Sequence, residues 1–327
     1  MDINDIARRA GVSRATVSRY LNNGYVSQEK RRLIRRIIQE TGYVPSQNAQ
    51  QLRTGKTRLI GVIIPRINSQ SVSRMVAGIT DTLAQSNYHV VLANTNNDEL
   101  LEIDYLNLFC GRHHVDGIIL IATVFTPEHE QAFQAMNVPL VVLGQKHDVY
   151  TCVYHNDYGA VHDLTRLVLP KARIAAYLGV LEEDQAAGKM RHQGFLDACS
   201  DMGVEARPEL QLVVDFDADS GFFGAEEILR IAPDVDTIVC ATDDIAFGAM
   251  MCMREYGRRV PEDVQICGVG DSLLSQIVHP SLTTVHLAYK TSGNEAARLL
   301  LAQLDGSEPD TVQQKMGYQV YGRNSMR

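Results

Sequence analysis

The sequence predicts a small all-α headpiece followed by a large α/β core of doubly wound parallel sheets, and three observations carry that prediction. Residues 3–22 read as two short amphipathic helices around a tight glycine turn. From Leu59 onward, apolar runs of strand length alternate with helical patterns, as in parallel sheets covered on both faces. Charge divides near the same place: residues 1–56 hold eleven Lys/Arg against four Asp/Glu, +7, and the rest carries −15. A small basic head on a large acidic body suits a protein that touches phosphate with one end and repels it with the other.

In the first helix Ile3, Ile6, Ala7 and Ala10 share one face, and Gly11 stands where a left-handed C-terminal residue belongs. Ser13 caps a second helix whose Val17, Tyr20 and Leu21 point inward, leaving Arg14, Ala15, Ser18 and Arg19 outward. Two short helices around such a turn make a helix-turn-helix, the second helix carrying the base-reading side chains. The same turn occurs in other all-helical domains, so the local basic charge is what turns the reading toward DNA. Arg14, Ala15 and Arg19 are the predicted base readers, with Thr16, Ser18 and Asn22 completing the contact set.

Ser27 opens a third helix, with Leu33, Ile34, Ile37 and Ile38 on one face and Lys30, Arg31, Arg32, Arg35 and Arg36 on the other, near phosphates. Gly42-Tyr43-Val44-Pro45 ends it. Within the polar run from Ser46 to Lys56, the part up to Arg53 has the length of two helical turns, too short to be stable alone in water. Gly55-Lys56-Thr57 is not a phosphate loop, because that motif needs a glycine where Gln50 stands.

Six scattered cysteines with no Cys-x-x-Cys pair read as free thiols of a reducing compartment. No signal peptide precedes the first helix, and no apolar run approaches the ~18 residues of a membrane span. The expected location is therefore the cytoplasm, with no membrane partner. No catalytic constellation, metal site or cofactor motif emerges. Gly268-Val269-Gly270 lacks the third glycine of a dinucleotide fingerprint, His113-His114 lacks zinc spacing, and Asp243-Asp244 opens a helix, where acids serve as caps.

Expected strands fall near 59–64, 88–93, 116–121, 138–143, 173–178, 210–214, 236–240, 264–269 and 283–286. Expected helices between them include 71–85, 127–135, 157–168, 186–202, 243–255 and 289–304.

The order helix-turn-helix, third helix, Tyr43-Val44-Pro45, Ala49-x-x-Leu52 and strand Leu59–Pro65 resembles the lactose-repressor/galactose-repressor (LacI/GalR) family over essentially the whole chain. The resemblance implies two similar core subdomains, with the chain crossing between them near 155 and 285 and again late in the chain, as in periplasmic sugar-binding proteins, and a ligand cleft at the carboxyl ends of the strands. The expected divisions are a headpiece at 1–44, a hinge helix or linker at 45–57, and an effector-binding and dimerisation core at 58–327. Within the core the subdomains are expected at 58–155 plus 287–327 and at 156–286. In the family the hinge folds on DNA when paired with its dimer mate, so Ser46, Ala49, Leu52 and Arg53 join the DNA-contacting set, Leu52 as a minor-groove wedge. The partners implied are a near-palindromic operator, a second copy of the chain, and a sugar.

For the cleft, Arg191 matches the family's ligand-binding arginine and Phe216 the aromatic lying against the ligand ring. Two departures stand out: Thr242-Asp243 replaces the usual Asn-Asp, and Val269-Gly270-Asp271 the usual aromatic-Asp-Asp/Asn. These changes resemble the trehalose-repressor branch, whose ligand is a phosphorylated disaccharide. Arg66 occupies that branch's phosphate-binding position, and a second phosphate arginine matches Gln145, beside which Lys146 offers a substitute. Arg66, Lys146, Arg191, Phe216, Thr242, Asp243 and Asp271 are thus the expected effector contacts, for a sugar phosphate or a neutral mono- or disaccharide. The expected function is a sequence-specific repressor controlled by that effector, with an activator responding to a neutral sugar as the alternative and a sugar-processing enzyme as a remote third.

Overall fold

The computed structural model describes residues 2–22, 24–43, 55–111, 115–307 and 311–327. It resolves into two units, one ending at Arg58 and one beginning at Leu59.

In the first unit, α1 (Ile3–Arg9) starts at Asp2, whose carboxylate accepts from the Asn4 and Asp5 amides while Asp5 reaches back in a capping box. Gly11 takes φ 58°, and Ser13 then caps α2 (Arg14–Leu21) by accepting from the Thr16 amide at 3.2 Å. The third helix, α3 (Gln28–Thr41), ends at left-handed Gly42. The three close over Ile6, Ala7, Ala10, Val17, Val26, Ile34 and Ile37. Leu33, expected inside, is 38% exposed: it lies one residue off the Ile34–Ile37 face of α3. The 45–57 hinge expectation and His113-His114 fall wholly or largely on residues outside the described ones, as do Ser46, Ala49, Leu52 and Arg53.

In the second unit, β1 (Leu59–Ile64), α4 (Gln70–Gln85), β2 (His89–Asn94), α5 (Glu99–Cys110), β3 (Gly117–Ile121), α6 (Pro127–Gln134), β4 (Leu140–Gly144) and β5 (Thr151–His155) come first. The chain continues through α7 (Asp157–Val168), β6 (Ala175–Gly179), a π-helical turn (Gln185–Met190) running into α8 (Arg191–Met202), β7 (Gln211–Val213) and α9 (Ala218–Ile231). Then follow β8 (Thr237–Cys240), α10 (Asp243–Glu255), β9 (Gln265–Val269), α11 (Leu273–Ile277), β10 (Thr283–Leu287), α12 (Tyr289–Asp305), β11 (Gln313–Met316) and β12 (Tyr318–Tyr321). Two six-stranded sheets result, in the orders β11-β5-β4-β3-β1-β2 and β12-β10-β9-β8-β6-β7. Every pairing is parallel except β10 with β12.

All nine expected strands are present within a few residues of their predicted ends. β5, β11 and β12 were not foreseen: Thr151-Cys-Val-Tyr-His155 is short and mixed, and the last two are half-exposed edge strands of four residues. The assignment of 287–327 to one subdomain needs correction. α12 and β11 lie with the first sheet, but Gly317 returns the chain to the second, where β12 pairs with β10. Ser325 then donates to the Ile266 carbonyl and accepts from the Thr283 amide, fixing the tail there. The chain thus crosses between sheets three times, at 155–157, 287–289 and 316–318.

Candidate functional site

In the headpiece the predicted base readers Arg14, Ala15 and Arg19 are exposed along one side of α2. Thr16 and Ser18 are half-buried: Thr16 shares a hydroxyl contact with Ser13 at 2.9 Å, and Asn22 donates its amide to the Ser18 carbonyl. Asn22 therefore spends part of its polar capacity on ending its own helix. Gly24 packs against Arg19 so closely that a Cβ there would stand 2.6 Å from Arg19 Cγ. On α3, Lys30, Arg32, Arg35 and Arg36 are exposed. Arg31 is different: it donates to the Gly24 carbonyl at 3.1 Å and its guanidinium lies 5.5 Å from the Tyr20 ring centre, so it braces the turn. Among the described residues none of Arg14, Arg19, Lys30, Arg32, Arg35 and Arg36 has an ion-pair partner. Unpaired cations on one small domain are available to phosphates and base edges.

In the core the carboxyl ends of both sheets face a cavity of about 520 Å³, within the rough 300–1,000 Å³ range of small-molecule sites. Of the expected contacts, Arg66, Arg191, Phe216, Thr242 and Asp243 line it. Arg66, just after β1, places its guanidinium 3.8 Å from the Phe216 ring centre. It has no ion pair or hydrogen bond among the described residues, and its Nε is buried. Burial disfavours the Arg66 charge, while the fields of Asp184, Asp244, Asp217 and Asp215 favour it without restoring the ordinary value. The ring face expected to meet a sugar thus carries Arg66.

Arg191 is only 6% exposed. It donates from Nε to Asp157 at 2.8 Å and from Nη1 to the Ala241 carbonyl at 2.6 Å. Burial opposes its charge, but Asp157 and Tyr289 together raise its pKa. Thr242 caps α10 by accepting from the Ile245 amide. Asp243 accepts from the Ser272 amide at 3.0 Å and from the Thr284 hydroxyl, and burial pushes its pKa up to about 6.

Two expected contacts are not at the cavity. Lys146, in the loop past the end of β4, turns outward to Asp148 at 2.8 Å. Asp271, at φ 48°, points to Arg323 and to His286 Nδ1, and these partners hold its pKa down against burial. Sequence reasoning placed Gln145 at a matching cleft position but chose Lys146 as the contact, and it did not expect His155, Asp184, Asp244 or Tyr289 there; all five of Gln145, His155, Asp184, Asp244 and Tyr289 line the cavity. Gln145 donates to Asp184 at 2.7 Å, and Asp184 caps the π-helical turn by accepting from the Ala186 and Ala187 amides. Their signal was positional, since each of Gln145, His155 and Asp244 stands at or just past a strand's carboxyl end. Arg74 of α4 reaches over to donate to the Gly270 and Asp271 carbonyls, joining the first sheet's side to the second's.

Among the described residues no cluster fits a metal ion, and no helix is long and apolar enough to cross a membrane. A helix-turn-helix with an unpaired basic surface, joined in one chain to a two-sheet core with a ligand-sized cleft, defines a DNA-binding transcriptional regulator. Residues 2–46 match bacterial regulatory proteins of the lacI family, and residues 166–326 match the periplasmic binding protein-like domain. The chain is 38% identical over 299 residues to the sucrose operon repressor of Staphylococcus xylosus, covering 90% of this chain and 91% of that one. It is 30% identical over 319 residues to the transcriptional regulator TreR of Escherichia coli K12, covering 95% and 96%. Among solved structures, the complex of the transcriptional regulator CelR with cellobiose is 28% identical with a TM-score of 0.76, covering 99% of both chains. The chain belongs to the lacI family of bacterial regulatory proteins.

Proposed function

We propose that this regulator is a repressor, acting as a homodimer on a near-palindromic operator and responding to a neutral carbohydrate bound in the core cleft. The observation that carries the effector class is the Arg66–Phe216 pair. The unpaired Arg66 guanidinium on the Phe216 ring offers donors to sugar hydroxyls, while the four aspartates whose fields act on it offer acceptors and oppose an anionic ligand. The names of relatives point the same way, to sucrose for one and cellobiose for another. Recognition by hydrogen bonding alone involves no turnover, which agrees with the lack of an acid/base or nucleophile constellation in the sequence.

A sugar phosphate is the second reading, favoured by the absence of any ion pair to Arg66 among the described residues. It loses its second cation now that Lys146 faces Asp148. Thermal shifts of the full chain with sucrose, trehalose, cellobiose and their 6-phosphates separate the two. A ligand at a hundredfold its Kd stabilises by about 2.7 kcal/mol. Stabilisation by a neutral sugar supports the proposal. Stabilisation by phosphates alone, abolished in Arg66→Ala, replaces it with the second reading.

For the dimer, α11 exposes Leu273 at 73% and Ile277 at 64%, beside a groove of about 920 Å³ that Met251 and Leu274 help line. Such a patch suits a two-fold contact. Leu273→Asp with Ile277→Asp should give monomers in sedimentation and weaken operator binding; an unchanged dimer would remove this face from the proposal.

A further inference from the structure

His155 ends β5 and Tyr289 begins α12, so each stands at a point where the chain passes between the two sheets. Their rings meet edge to face at 5.0 Å, and both line the cavity. His155 is 6% exposed, and its Nε2 has no hydrogen-bond partner among the described residues. Ten buried side-chain polar atoms share that condition, and three of them, Arg66 Nε, Arg74 Nε and His155 Nε2, belong to cavity-lining residues. Buried polar atoms are nearly always paired, and the three at the cleft stand where a ligand can reach them.

The three nitrogens differ in chemistry. A guanidinium Nε can only donate, whereas a neutral imidazole has one donor and one acceptor nitrogen. Burial lowers the His155 pKa to about 4; Asp157 opposes that and Arg191 and Arg74 add to it. At neutral pH the ring is therefore uncharged. The charges acting on Arg66 are Asp184, Asp244, Asp217 and Asp215, whereas those acting on His155 are Asp157, Arg191 and Arg74. A hydroxyl donates and accepts and suits either imidazole tautomer, whereas an anionic oxygen can only accept and suits one.

Resting on the carbohydrate reading of the cleft, we propose that His155 is a specificity-determining residue that hydrogen-bonds one hydroxyl of the effector at the crossing between the two subdomains. A contact at this crossing is made by a residue that belongs to one sheet and is followed within two residues by the other subdomain's α7.

The test uses the full chain, with His155→Phe to keep a ring and remove both nitrogens, and His155→Gln to restore a donor and an acceptor. Without ligand, His155→Phe is expected to melt at or above the wild-type temperature, because an unpartnered buried nitrogen has been removed. A fall of several degrees with native secondary structure would mean that the imidazole serves the fold, and would overturn the proposal. Whichever of sucrose, trehalose and cellobiose stabilises the wild type is then titrated beside its monodeoxy analogues. Wild type should lose at least tenfold in affinity for one analogue, and His155→Phe should bind that analogue and the parent equally, with His155→Gln in between. Parent binding by His155→Phe at wild-type affinity overturns the assignment. If none of the three sugars stabilises the wild type, the carbohydrate reading fails, and the unliganded melting comparison alone decides whether His155 faces the ligand or the fold.

Discussion

Arg14, Arg19, Lys30, Arg32, Arg35 and Arg36 of the headpiece stand exposed without ion-pair partners among the described residues, whereas most core arginines meet a carboxylate. Arg173 meets Asp236, Arg191 meets Asp157, Arg259 meets Asp263 and Arg298 meets Glu295, at 2.7 to 3.1 Å. A domain whose partner is a polyanion keeps its cations available, and an acidic body of net −15 neutralises its own. Arg66 is one of the core arginines that depart from this pattern, resting on Phe216 with no carboxylate in contact among the described residues, and it stands in the cleft.

The largest expected effect comes from breaking a core pair. Arg191→Met should destabilise the core by roughly 3–5 kcal/mol, since Asp157, 3% exposed, is left charged and unpartnered. Urea unfolding reads this, and a loss below about 1 kcal/mol would show that Asp157 finds another partner.

Asp243 tests the same contrast through pH. Its folded pKa, raised by burial to about 6, exceeds the ordinary 3.8. The folded state then binds the extra proton, so this group's contribution to stability falls as pH rises from about 4 to about 6 and stays low above that. Asp243→Asn, a neutral isostere able to serve Ser272 and Thr284, should be more stable than wild type at pH 7. The expected gain is on the order of 2–3 kcal/mol, shrinking toward zero near pH 4. Melting curves across that range check the sign, and a gain that grows as pH falls contradicts it.

In the headpiece the effects are smaller and touch recognition. Arg19→Ala should cost about 1–3 kcal/mol on the preferred operator and relax preference at one base pair, leaving core melting unchanged. Retained preference would mean that α2 does not read bases through Arg19. Smallest is Arg35→Ala, expected to weaken all sequences alike and reduce the salt slope of binding by about one. A sequence-selective loss would instead place Arg35 at a base.

The helix-turn-helix was legible because its signals are local. Asp2 and Ser13 cap, Gly11 turns, and the apolar spacing chooses the buried face within a few residues. Most of the nine expected strands were legible for a similar reason, since strands covered on both faces, such as β1 and β3, read as continuous apolar runs. β5 was not, although it delivers His155, because five mixed residues carry no period. A crossing late in the chain was implied by the resemblance, but its place at Gly317 was not legible, because it depends on two edge strands of four residues choosing different sheets.

By itself, then, the sequence determined the basic headpiece, the α/β alternation and the family, all of which rest on spacing, capping and charge along neighbouring residues. The tertiary structure decided which polar groups remain for a ligand. Asp271 turned to Arg323 and Lys146 to Asp148, while Arg66 and His155 stayed at the cavity with unpartnered nitrogens. Arg323 lies 52 residues from Asp271 in sequence. Who pairs with whom at such separations is set by the packing of the sheets, and only the side chains left over can recognise another molecule.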